Sequence, residues 1–216
     1  MSAPYGVLGG TFDPVHLGHL HACREARALL GLGHVLLVPL AVPPHKARPG
    51  LVSAEDRLAM LRIAADDEPG IEVEPMEILR GGVSYTIDTL RALRAREPGA
   101  EPVFLLGIDA AREFRTWRSW REILASFVLA AVARPGAGTS HSDLSALLEV
   151  PVRPVPPCPD RFVPGRLLIL SIPPHPASSS EVRRRAAAGE PLDGLVPPGV
   201  ARYIQDHSLY REEVAR

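Results

Sequence analysis

The 216-residue chain holds two cysteines, Cys23 and Cys158. Two thiols so far apart form neither a disulfide framework nor a zinc-ligand spacing, and they lead us to expect a reduced, cytoplasmic setting. An excess of charge of one sign is also lacking. Lys and Arg number 24 against 25 Asp and Glu, a formal net charge of −1. That balance argues against a broad electrostatic footprint for DNA or RNA, so no nucleic-acid partner is expected. No apolar run approaches the ~20 residues a membrane helix needs, and none is expected to cross a bilayer. The charged-then-apolar pattern of an export signal is missing from the N-terminus, and no internal repeat is visible. Apolar residues make up 46% of the chain and charged residues 23%, as in ordinary globular proteins. The length suffices for a substantial core and predicts one domain over residues 1–216.

Short β-rich runs alternate with helix-like stretches, the pattern of a parallel α/β sheet. Strands are expected at Tyr5–Leu8, His34–Val38, Ile71–Glu74, Val103–Leu106, Phe127–Val132 and Leu167–Ile172. Most are continuous apolar runs, as strands covered on both faces should be. Helices are expected near Leu17–Leu30, Ala54–Ala65, Tyr85–Arg94, Glu181–Ala188 and Val200–His207. Ser53 with Asp56 reads as a capping box, and Pro197-Pro198 suits a helix entry, where N–H donors are dispensable. Two stretches read as irregular: the proline-rich 39–52, and 134–161, with one short helix expected near Asp143–Leu148. Long loops of this kind are either functional or tolerated surface insertions.

The most informative stretch is Gly9-Gly10-Thr11-Phe12-Asp13-Pro14-Val15-His16-Leu17-Gly18-His19, which follows the first apolar strand. Two glycines allow a backbone to approach an anion closely, and the helix behind them offers unpaired N–H groups and a partial positive charge. His16 and His19, three residues apart, share one side of the first turn. Imidazoles there can donate hydrogen bonds to phosphate oxygens. Three other readings compete. His16, His19 and His21 superficially resemble a zinc cluster, but that reading rests on spacing alone and would leave the glycine turn without a purpose. A dinucleotide-binding oxidoreductase fits the fold class, yet neither G-x-G-x-x-G nor the Walker G-K-[ST] follows the first strand. A tight turn with partly buried histidines would serve structure alone.

This stretch resembles the signature of nucleotidyltransferases with an H-x-G-H motif. Further segments resemble one branch, the bacterial nicotinate-nucleotide adenylyltransferases: Pro43-Pro44-His45-Lys46, Ser84-Tyr85-Thr86-Ile87-Asp88-Thr89-Leu90, Gly107-Ile108-Asp109 with Trp117 and Trp120 after it, Val132-Ala133-Arg134-Pro135-Gly136 and Ser178-Ser179-Ser180-Glu181-Val182-Arg183. The ending, from Leu195-Val196-Pro197 through Tyr203-Ile204 to His207 and Tyr210, is similar too. Ala177 and Ser180 depart from the I-S-S-T pattern of that branch, and Pro173-Pro174-His175-Pro176 is an unusual approach to it.

The resemblance implies a Rossmann-like doubly wound parallel sheet of nucleotidyltransferase type, with a small C-terminal helical extension. It implies adenylyl transfer from ATP to nicotinate mononucleotide, with Mg²⁺ held mainly by the ATP phosphates and no metal site in the protein. His16, His19, Lys46 and Arg183 would surround the ATP phosphates. Gly9, Gly10, Thr11, Phe12, Gly107, Asp109, Ser178, Ser179 and Ser180 would bind the rest of ATP. Ser84, Tyr85 and Thr86 would receive the nicotinate carboxylate, Trp117 would stack on the pyridine ring, and Arg134 would touch the substrate. Residue chemistry alone offers blander roles: Lys46 as a solvated loop lysine, Ser84 and Asp109 as helix caps, Trp120 as core, Arg184 and Arg185 as surface charges. Nicotinamide mononucleotide or phosphopantetheine remain alternative acceptors, a non-catalytic nucleotide-binding module remains another alternative, and the oligomeric state stays open.

Overall fold

In the computed structural model, which describes residues 3–42, 50–133, 145, 152–154 and 163–211, the first apolar run extends as β1 (Tyr5–Gly10) and every later strand is parallel to its neighbours. The chain continues through α1 (Leu17–Leu30), β2 (Val35–Pro39), α2 (Ala54–Asp66), β3 (Ile71–Val73), α3 (Met76–Arg80) and α4 (Thr86–Arg96). It then forms β4 (Pro102–Gly107), α5 (Ile108–Arg112), a 3₁₀ turn (Phe114–Thr116), α6 (Trp120–Ser126), β5 (Val128–Ala133) and β6 (Val152–Pro154). It closes with β7 (Leu167–Ser171), α7 (Ser179–Ala188) and α8 (Pro198–Asp206).

The order across the sheet is β3-β2-β1-β4-β5-β7-β6. From β1 the chain moves outward to β2 and β3, then returns to β4 on the other flank of β1. This reversal creates a switch point, and open α/β sheets bind ligands there, outside the carboxyl ends of the strands. The register brings those ends to one edge, with Gly10 opposite Pro39, Gly107 opposite Val132 and Ala133 opposite Ser171.

Successive strand residues point to opposite faces, so each apolar run feeds two cores. Val7, Leu36, Val38, Phe104 and Leu106 pack with Ile87, Leu90 and Leu93 of α4 and Ile123 of α6. Leu8, Leu37, Val103 and Leu105 pack with Leu20 of α1, Met60 and Leu61 of α2, Val182 of α7 and Val200 of α8. Cys23 lies in the second core, and burial, reinforced by Glu68, pushes its thiol up to about 12, so it packs as a small hydrophobe. Cys158 lies outside the described residues.

The six expected strands and five expected helices are present, with ends shifted by one or two residues. The sheet has a seventh strand, β6, within a stretch that reads as irregular. The helices α3, α5 and α6 escape the sequence pattern because they run only five, five and seven residues, too short for a 3.6-residue period to register. Ser53 caps α2 by accepting the Asp56 N–H at 2.9 Å, while its hydroxyl donates to the Asp56 carboxylate at 2.7 Å. Pro198 stands at the first position of α8 after Pro197. The helix expected near Asp143–Leu148 falls outside the described residues apart from Ser145. No helix among the described residues is long and apolar enough to cross a membrane.

Candidate active site

A cavity of about 810 Å³ opens at the switch point. It gathers Gly9, Gly10 and Thr11 after β1, Ser84, Tyr85 and Thr86 at the start of α4, Gly107 at the end of β4, Trp117, and Ser179 with Arg183 from α7. Ten of the expected site residues thus converge from five separate segments.

The turn after β1 is built by close approach. A Cβ on Gly10 would lie 3.2 Å from the Phe12 ring. Phe12 itself has φ of 50°, is buried, and meets the His19 ring edge-on at 5.0 Å. It therefore supports the turn from beneath and does not line the cavity. His16 is the N-cap residue of α1, and its ring stacks on His19 with centroids 3.7 Å apart, so the three-residue spacing does place both imidazoles together. The His16 N–H donates to Nδ1 of His19 at 3.3 Å. In the neutral ring that leaves the proton on Nε2, as a donor. Loss of hydration, with His16 alongside, holds His19 well below the ordinary histidine value, so this neutral form persists at physiological pH. Neither imidazole lines the cavity; Thr11 and Asp13 do. A Cβ on Gly18 would sit 2.9 Å from the Ala177 carbonyl oxygen and 2.9 Å from the His16 ring, so only glycine fits between these two parts of the site.

The Ser178–Arg183 segment docks on the same turn. Ser178 caps α7 by accepting the Glu181 N–H at 3.3 Å. The Ser179 hydroxyl donates to the Pro14 carbonyl at 2.9 Å. Arg183 donates to the Asp13 carbonyl at 2.6 Å and to the Ser180 hydroxyl at 3.2 Å, and lies 3.9 Å from the Asp13 carboxylate. Tyr210, near the end of the described chain, donates to the same carboxylate at 3.0 Å. Ser178 and Ser180 are thus engaged in capping and in orienting Arg183, and only Ser179 of the three lines the cavity. Arg184 and Arg185 pair with Glu181, as surface charges do.

Several residues of this site were not singled out by the sequence. Arg57 is buried and donates to the carbonyls of Thr11 at 2.8 Å, Leu40 at 2.8 Å and Ala41 at 3.1 Å. Burial lowers its pKa, against the pull of Asp13. A signal for it exists: Arg57 falls in line with Met60, Leu61 and Ala64, the buried stripe of α2, where an arginine has no place unless it has partners. Glu77 is also buried and lines the cavity, accepting a short hydrogen bond from the Thr89 hydroxyl. Arg118 lines the cavity with its guanidinium 4.5 Å over the Tyr85 ring, and only its place beside Trp117 could have marked it.

On the substrate side, Ser84 does not cap α4, because Tyr85 holds the N-cap position. Its hydroxyl instead accepts the Ala41 N–H at 3.1 Å, and its N–H donates to the Val42 carbonyl at 3.2 Å. The first N–H groups of α4, at Thr86 and Ile87, have no acceptor within the helix. Trp117 packs edge-on against Phe104 at 5.9 Å, and the half-buried Trp120 packs edge-on against Phe114 at the border of the core. Asp109 is exposed, does not line the cavity and pairs with Arg112 at 3.0 Å. Lys46 and Arg134 lie outside the described residues. Among the described residues no three His, Cys, Asp or Glu side chains converge as metal ligands, and His21 turns away to the Pro173 carbonyl at 2.8 Å.

Comparison with known proteins fits this geometry. Residues 7–185 match the cytidylyltransferase-like family model. A probable nicotinate-nucleotide adenylyltransferase of Symbiobacterium thermophilum is 43% identical over 208 residues, covering 96% of this chain and 95% of that one. A protein of the same name from Bordetella petrii is 44% identical over 207 residues, covering 95% and 98%. Among solved structures, the Plasmodium falciparum nicotinic acid mononucleotide adenylyltransferase complexed with NaAD superposes with a TM-score of 0.74 at 18% identity, covering 97% of this chain and 98% of that one.

Proposed function

The chain belongs to the cytidylyltransferase-like family, among its nicotinate-nucleotide adenylyltransferases, and from that premise we propose how its residues divide the work. The reaction transfers the adenylyl group of ATP to nicotinate mononucleotide. A phosphate oxygen of the mononucleotide forms a bond to the α-phosphorus, the bond from that phosphorus to the bridging oxygen of the β-phosphate breaks, and pyrophosphate leaves with the electron pair. The acceptor is itself the nucleophile, so alignment and stabilisation of charge are the protein's contribution.

His19, neutral with its proton on Nε2, donates to a phosphate oxygen, and His16 acts beside it. Arg183 supplies a fixed positive charge at the phosphates, with Lys46 as a second cation. Gly9, Gly10 and Thr11 present backbone to ATP, supported by Phe12. Ser178, Ser179 and Ser180 offer the start of α7 to the phosphates, and Gly107 with Asp109 serves the nucleoside end. The N–H groups near Ser84, Tyr85 and Thr86 take the nicotinate carboxylate, Trp117 faces the pyridine ring, and Arg134 adds a substrate contact. Mg²⁺ neutralises triphosphate charge when bound. The donor set suits an ion held by phosphate and water oxygens, because the one carboxylate at the phosphate turn, Asp13, is already engaged by Tyr210 and Arg183. We take the whole chain as one nucleotidyltransferase domain acting in the cytoplasm.

One observation carries this reading: the switch-point cavity joins the glycine turn, the start of α4 and Arg183, segments that lie 73 residues apart from Thr11 to Ser84 and 97 from Thr86 to Arg183. The test mixes ATP, Mg²⁺ and nicotinate mononucleotide and follows pyrophosphate release. Nicotinamide mononucleotide and phosphopantetheine run in parallel. Turnover with preference for the acid is expected, and folded protein without turnover on any of the three would refute the reading.

A further inference from the structure

The run Pro173-Pro174-His175-Pro176-Ala177 connects β7 to α7 and so delivers Ser178–Arg183 to the site. Its three prolines have no N–H to donate, so the backbone alone can do little to fix this segment. Two imidazoles take over. Nδ1 of His175 accepts the Ala177 N–H at 3.1 Å, closing a turn on its own chain. Nε2 of His21, on α1, donates to the Pro173 carbonyl at 2.8 Å. Immediately beyond, the Ala177 carbonyl abuts Gly18, Ser179 holds Pro14 and Arg183 holds Asp13.

We propose that His175 is a positioning residue for phosphate binding: the turn it closes onto Ala177 sets where α7 begins, and hence where Ser179 and Arg183 stand against the Asp13–Gly18 segment. The proposal rests on the phosphate-binding reading of that segment.

The His175 half of the clamp is sensitive to acid, whereas His21 is held from its other side, with Nδ1 4.0 Å from the Glu25 carboxylate. Protonated His175 loses its acceptor, and the turn opens. The titratable and charged groups facing His175 are His21, with ring centroids 5.7 Å apart, and Arg24 on the same helix, which is itself paired with Glu68 at 2.6 Å. Burial first, then His21 and Arg24, lower the His175 pKa. Its turn is therefore intact at neutral pH and is lost as the pH falls below the ordinary histidine value.

Asparagine offers the same kind of acceptor to the N–H two residues on and does not titrate. The test compares wild type, His175→Ala and His175→Asn for kcat and for KM of ATP between pH 5.5 and 7.5, together with exchange of the Ala177 amide hydrogen. At pH 7.5, His175→Ala should raise KM about fivefold, the worth of one hydrogen bond, with kcat nearly unchanged and the Ala177 amide unprotected. Wild type should show the same rise in KM on acidification. His175→Asn should match wild type at pH 7.5 and stay flat below it. An unchanged KM in His175→Ala, or an acid limb in His175→Asn equal to that of wild type, overturns the proposal. If wild type fails to turn over ATP, the functional reading fails, and amide exchange still decides whether His175 holds the turn.

Discussion

Replacing Arg57 by methionine removes one guanidinium and leaves the carbonyls of Thr11, Leu40 and Ala41 without their donor. Methionine keeps most of the apolar stem, so little packing is lost. Each hydrogen bond from a charged donor contributes about 1.5–3 kcal/mol. Against that stands relief from burying a cation, which is why the pKa of Arg57 is lowered. Each buried carbonyl left without its donor costs about 1–3 kcal/mol, so three of them, less the relief of the buried cation, give an expected net loss of about 3–5 kcal/mol. For a protein of this size it corresponds to a fall in Tm on the order of 10 °C. Arg57→Lys should fall between the two, since an ammonium keeps the charge but lacks the planar fork that spans three carbonyls. Thermal and urea unfolding measure the loss, and KM for ATP should rise in parallel because Thr11 belongs to the glycine turn. If Arg57→Met stays within about 0.5 kcal/mol of wild type, the range of ordinary surface substitutions, the guanidinium does not organise the turn.

Three further outcomes are expected. His19→Ala should lower kcat/KM about a hundredfold with a small change in Tm, and an equal loss of both would assign the imidazole to packing. Because the His19 pKa is depressed by burial and by His16, its contribution to stability is present above the ordinary value near 6.5 and declines as the pH drops through the lower folded value; a pH series of melting curves reads this directly. Arg118 lines the cavity over the Tyr85 ring, at the start of α4 where the carboxylate is proposed to bind, so Arg118→Met should reduce the preference for nicotinate over nicotinamide mononucleotide about tenfold, measured as a ratio of kcat/KM. Gly199→Ala places a Cβ 2.6 Å from the Ile63 Cγ2 methyl at the contact of α2 with α8. It should cost about 1–3 kcal/mol, with part of the loss recovered when Ile63 is shortened to alanine.

The strands were legible because parallel strands covered on both faces are continuous apolar runs, and Val7 and Leu8 serve opposite cores from adjacent positions. The glycine turn and the starts of α4 and α7 stand out in the sequence because their residue types suit phosphate or carboxylate chemistry, and the structure brings them to one cavity. Other parts were hidden for physical reasons. Helices of five to seven residues leave no periodic trace, and β6 spans only three residues. Glu77 and Arg57 are charged residues at ordinary helical positions, and their burial depends on partners in distant segments, Thr89 for one and three loop carbonyls for the other. The helix-capping roles offered for Ser84 and Asp109 are not the ones these residues take. Tyr85, not Ser84, occupies the cap position of α4, and Asp109 pairs with Arg112 in the first turn of α5.

The wedge at Gly18 has a consequence for anyone recombining relatives of this enzyme. With Gly18 against the Ala177 carbonyl, Pro14 on Ser179 and Asp13 on Arg183, residues 13–18 and 177–183 form one unit of inheritance despite lying at opposite ends of the chain. A chimera with a single crossover between them mixes the two halves from different parents, whereas a double crossover that transplants both preserves the fit. Libraries built on crossovers that respect this pairing should retain adenylyl transfer more often than those that cut it.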